Sequence, residues 1–141
     1  MGKDKEMRSC AEDIKDYLIE LFDDSSSSID FELIFGTNLF VSVLPETTNI
    51  ATVLLDTPGS PPNPNSIRNP TMQILTRGKV GGYTAAYAQM EIIADCLHGL
   101  ANVTINGTKY IQMWLLGDVF HIGNDSKGRP MFSSTLQIQR T

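Results

Sequence analysis

Apolar residues along this chain recur with a helical period in two stretches and with a period of two through most of the rest. That change of period restricts the fold more than any other feature. Cys10, Ile14, Tyr17, Leu18, Leu21 and Phe22 fall on one side of a helix, with Glu12, Asp13, Asp16, Glu20 and Asp23 opposite them. The spacing predicts an amphipathic helix over about residues 8–24 with an acidic outer face. Ser25 to Ser28 end it, because serine hydroxyls compete for backbone hydrogen bonds. A second helix is expected from Tyr83 to His98, with Gly99 as its C-terminal cap. Its polar residues Thr84, Glu91, Asp95 and His98 form a narrow stripe, so it is expected to be buried more deeply than the first.

The period-two stretches are the candidate strands. Leu39 to Leu44 ends at Pro45, and Ile50 to Leu55 follows after Glu46-Thr47-Thr48-Asn49, which reads most simply as an antiparallel pair. Residues 56–70 hold five of the seven prolines and are expected to form a long loop, mobile over 57–69 until a neighbour orders it. Thr71 to Arg77 is a third strand. Asn106-Gly107 is a two-residue turn signal between Val103-Thr104-Ile105 and Tyr110 to Leu116. Asp125 to Gly128 turns into a last strand in which Phe132, Ser134, Leu136 and Ile138 alternate with Ser133, Thr135, Gln137 and Gln139. This order predicts a single α+β domain over residues 1–141, an antiparallel or mixed sheet with two helices packed on one face.

Charge and length exclude several classes of function. No apolar run reaches the roughly 18 residues of a spanning helix, and no apolar stretch follows the charged N-terminus, so neither a membrane span nor a secretory signal is expected. The net charge of −5 lies wholly in residues 1–30, with nine acidic and four basic residues; residues 31–141 hold seven of each. A sequence-specific nucleic-acid binder would carry a basic surplus.

No candidate for catalysis assembles a full set of parts. Cys10 and Cys96 are expected to be free thiols turned toward the core. His98 and His121 are too isolated for a metal site. His98 could act with Asp95, but no nucleophile accompanies them, and a helix-end role fits His98 better. Gly78-Lys79-Val80-Gly81-Gly82 lacks the spacing of a phosphate loop and reads as a strand-to-helix connection. Asn102-Val-Thr104 and Asn106-Gly-Thr108 match the glycosylation pattern but serve as strand and turn residues, and Trp114 reads as a core aromatic. No cofactor is implied.

A resemblance becomes specific from residue 37 onward. Leu44-Pro45-Glu46, Asp56-Thr57-Pro58-Gly59 and Gln73 to Gly78 come in the order of the blocks of a phage minor capsid family related to the tail terminators of long-tailed bacteriophages. Ala86-Tyr87-Ala88, Leu97 to Leu100, Ile105 to Tyr110 and Gly123 to Pro130 continue the series. Ser134-Thr135 departs from the pattern, which has Asn in the last strand.

The resemblance implies a virion protein that forms a ring with itself, usually a hexamer, at the head-proximal end of the tail, assembled in the host cytoplasm. It implies contacts with the major tail tube protein and with a head connector or stopper, and a ring through which DNA passes without sequence-specific binding. Another head–tail joining, neck or minor capsid component is the alternative reading; a small-ligand module or enzyme is a remote one. The assembly contacts expected on this basis are Pro61, Pro62, Asn63, Arg68, Arg77, Lys79, Lys127 and Arg129, all near loops and turns. Charge reversal at Arg77 or Arg129 is expected to weaken assembly more than at Lys5.

Overall fold

The computed structural model describes residues 8–22, 33–62, 64 and 67–141. Two helices, α1 (Cys10–Phe22) and α2 (Tyr83–Leu97), accompany seven strands: β1 (Leu39–Val41), β2 (Ala51–Ser60), β3 (Asn69–Arg77), β4 (Ala101–Ile105), β5 (Thr108–Leu115), β6 (Phe120–Asn124) and β7 (Pro130–Arg140). They form one mixed sheet in the order β1-β2-β3-β7-β5-β4, and β6 pairs with β7 ahead of β5 on the same side. The α+β architecture with both helices on one face is therefore as expected. Leu54, Ile74, Leu136 and Met113 line that face, and one continuous core joins them to Ile14 and Leu18 of α1 and to Met90, Ile93 and Leu97 of α2. Each such buried aliphatic side chain contributes about 1.5–3 kcal/mol.

α1 starts sharply because Ser9 and Glu12 cap it reciprocally. The Glu12 N–H donates to Ser9 Oγ at 3.2 Å, and the Ser9 N–H donates to the Glu12 carboxylate at 3.0 Å. Asp56 of β2 accepts the Ala11 N–H, adding a carboxylate where the helix dipole favours one. α1 is no less buried than α2: it buries Cys10, Ala11, Asp13, Ile14 and Leu18, whereas α2 buries Ala86, Met90, Ile93, Ala94 and Leu97 and leaves Ala85 and Ala88 exposed. Alanines made the second helix apolar without giving it bulk to bury. Gly99 takes φ 81° just beyond α2, as its capping role requires. Asp23 and the serine run lie outside the described residues.

Two strand expectations are corrected. β1 and β2 pair in parallel, not antiparallel, with Leu39 opposite Thr52 and Val41 opposite Leu54. Ser42 takes a left-handed φ of 65° and ends β1, so residues 42–50 leave the sheet and return beside β1 in the same direction. The expected loop 56–70 is also shorter. β2 continues through Ser60 and β3 begins at Asn69, with Thr57 opposite Thr71 and Ser60 opposite Asn69 across a bulge. Paired threonine hydroxyls 2.6 Å apart and a Thr71 hydroxyl donated to the Pro58 carbonyl hold the ladder where proline has no N–H to give. A Cβ on Gly59 would collide with the Asn69 carbonyl, so glycine permits the strands to close there. β2 and β3 are thus joined between Ser60 and Asn69, and residues 57–62 at this end of the sheet, exposed from Pro58 on, are termed the arm.

The Asn106-Gly107 turn is as expected, with φ 50° and 80° and Ile105 opposite Thr108. Trp114 is a correction: it lies opposite Gln137 on the face turned away from the helices, half-buried, because its neighbour Met113 takes the core side.

Candidate assembly surfaces

His98 and the glycine-rich connection before α2 serve the fold. His98 Nδ1 accepts the Leu115 N–H at 2.9 Å, so the ring fastens the end of α2 to β5. Gly78 and Gly82 allow the turn into α2 to pack tightly: a Cβ on Gly78 would press on Ala86. Cys10 and Cys96 are free, Cys10 buried and Cys96 half-buried, and burial pushes both thiols up, away from the nucleophilic thiolate. Among the described residues, no three His, Cys, Asp or Glu side chains gather as metal ligands, and no helix is long and apolar enough to cross a membrane.

Of the residues expected to make assembly contacts, four come together at one end of the sheet. Arg77 ends β3, Lys79 follows it, and Lys127 and Arg129 border the turn into β7; the Gly78 N–H donates to the Pro130 carbonyl and ties the two segments. Arg77 and Arg129 do not face solvent. They are 2% and 1% exposed, beneath residues 45–49.

Arg77 donates to the carbonyls of Pro45, Thr48 and Asn49, and Arg129 donates to the carbonyls of Glu46 and Thr48. A crossover segment with no ladder of its own must satisfy its carbonyls somehow, and these two planar donors do so. Arg129 Nε also donates to Asp125 at 2.7 Å, while Asp125 accepts the N–H groups of Lys127 and Arg129. Burial lowers the affinity of Arg77 for its proton, and Arg129 nearby lowers it further. The surface at this end is therefore the loop that these arginines brace, with the guanidiniums beneath it. Lys79 and Lys127 are exposed, and Lys127 lies 3.8 Å from the exposed Glu46.

The other expected contacts lie at the opposite end. Pro61 and Pro62 are exposed on the arm, and the Arg68 backbone bridges to Arg140 through two hydrogen bonds of 2.8 and 3.0 Å. Asn63 lies outside the described residues, as does Lys5.

Sequence reasoning missed a second polar cluster, beneath α1. Asp13, expected on the acidic outer face, is fully buried: it accepts the Tyr110 hydroxyl and the Asn106 amide at 3.0 Å, and forms an ion pair with Arg140 at 4.0 Å. Asn106 also donates to Asp16 at 2.8 Å, so the hairpin turn holds the helix. Burial raises the Tyr110 pKa, the Asp13 hydrogen bond adds to this, and the hydroxyl stays a donor. The signal was present: Asp13 stands three positions after Cys10 and four before Tyr17, within the apolar stripe.

The fold is a sheet with one helix-covered face, exposed prolines at one end and a braced loop at the other. A family model described as bacteriophage tail terminator protein matches residues 15–141, and the chain belongs to that family. No curated protein matches it. It is thus a structural component of the phage tail.

Proposed function

We propose that this protein closes the tail: copies assemble into a ring, six by the family resemblance, that caps the tube, stops its polymerisation and offers a surface to the head connector. The family match over residues 15–141 carries this reading. The placement of uncovered surfaces at both ends of the sheet supports it, because a ring needs two different patches on each subunit. The helix layer, with Glu20 of α1 exposed, is placed away from the crowded centre of the ring, where like charges would oppose closure. DNA passes through the ring with no base-specific contact. Lys79 and Lys127 are the exposed cations suited to subunit or tube contacts at the braced-loop end.

Removing the protein from an infection tests the proposal. Tails of aberrant length or tails unable to join heads are expected by electron microscopy. Tails of normal length attached to heads would sink it.

A further inference from the structure

Each end of the sheet exposes an uncharged patch. Residues 57–62 of the arm, Thr-Pro-Gly-Ser-Pro-Pro, carry no charge, and Pro58 to Pro62 are exposed. Prolines lack an N–H, and the Pro58 and Pro61 carbonyls already accept from Thr71 and Asn69, so the stretch presents chiefly its pyrrolidine ring surfaces.

At the opposite end, a cleft of about 180 Å³ lies between the start of α2 and the β6–β7 turn, lined by Gly81, Tyr83, His121, Asn124, Gly128 and Pro130. None of these carries a carboxylate or an ammonium group. Tyr83 is 51% exposed, yet its ring is held edge-on against Phe132 at 5.0 Å and His121 at 5.1 Å. His121 Nε2 and Asn124 Oδ1 lie 3.1 Å apart, which orients the Asn124 amide. The cleft thus combines a fixed aromatic wall with hydroxyl and amide donors, the arrangement that recognises proline-bearing extended segments. Val80 beside it is a further exposed apolar side chain.

We infer that the cleft beside Tyr83 receives the arm of a second copy of this chain. The inference rests on the ring reading above and names its contact. β3 runs from the arm at Asn69 to the cleft end at Arg77, nine residues or about 30 Å, so an arm cannot fill its own cleft. Arm and cleft are different patches present in equal number on every copy, which is what a heterologous, ring-forming interface requires.

Full-length protein tests this with the variants Pro61→Ala/Pro62→Ala and Tyr83→Ser and a synthetic peptide of residues 57–62. The arm variant, whose cleft is intact, is titrated with the peptide while its backbone and His121 resonances are followed. Shifts centred on Gly81, Tyr83, His121 and Asn124, absent with an alanine-for-proline peptide, are expected. Each variant alone is expected to self-associate at least about tenfold more weakly than the parent chain by sedimentation. Mixed together, they should form a heterodimer and stop, because only one arm–cleft contact remains intact.

A peptide that leaves the cleft resonances unmoved, or a folded Tyr83→Ser variant that assembles like the parent chain, overturns the inference. Should Tyr83→Ser fail to fold, the peptide titration decides alone. A parent chain that never self-associates counts against the ring, whereas the titration reports on the cleft independently.

Discussion

Replacing Arg129 by alanine is expected to destabilise the subunit by about 3–5 kcal/mol, the usual consequence of breaking a buried ion pair from one side. The guanidinium is 1% exposed and serves Asp125 together with the carbonyls of Glu46 and Thr48. Its loss takes the donor from the Glu46 carbonyl and the charge partner from Asp125, while Thr48 keeps Arg77 and Asp125 keeps its backbone donors. Urea unfolding should show a lower midpoint with an unchanged slope. Lys127→Ala removes only an exposed contact to Glu46 and should change stability by less than about 1 kcal/mol. Equal effects of the two substitutions would show that the loop does not depend on Arg129.

The same site predicts an acid limb. Loss of solvent pushes the Asp125 carboxyl up, but donors from Arg129 and Lys127 outweigh this and hold it below the usual carboxylate range. A depressed carboxyl contributes stability above its unfolded pKa of about 3.9, and the contribution fades as pH falls through the lower folded value. Arg129→Ala should flatten that part of the stability profile. Arg77→Glu would set a carboxylate against three carbonyls, so it reports on folding; charge reversal at Lys79 or Lys127 is the cleaner probe of assembly.

Asp13→Ala should cost about 3 kcal/mol or more, because it leaves the Tyr110 hydroxyl without its buried acceptor, the Asn106 amide with Asp16 alone and Arg140 without its anion. Glu20→Ala on the exposed side of α1 should fall within about 0.5 kcal/mol. Thermal unfolding compares the two, and hydrogen exchange along α1 locates the damage. An Asp13 variant as stable as the Glu20 one would remove the cluster from any part in holding the helix.

Much of the fold could be read from local pattern. The two helices, the Asn106-Gly107 turn, the alternation in β7 and the Gly99 cap depend on residues within a few positions of one another, and their chemistry stands in the sequence. The Ser9–Glu12 capping box was equally local. The ordered motif blocks carried the family, which the match over residues 15–141 bears out.

What the sequence could not decide was the destination of groups whose partners lie far along the chain. Arg77 and Arg129 looked like loop cations until the crossover 42–50 placed carbonyls from residues 45–49 over them, 28 to 83 positions away. Asp13 looked solvent-facing because helical periodicity records polarity, and a buried carboxylate becomes tolerable only when a hydroxyl and an amide from residues 106–110 arrive to receive it. The proline-bearing stretch and the cleft beside Tyr83 likewise came to lie at opposite ends of one sheet only through the course of β3. Sequence by itself determined the elements and the family; tertiary structure decided which polar groups brace the subunit and which surfaces remain for a neighbour, because burial and hydrogen-bond satisfaction belong to the whole packed chain.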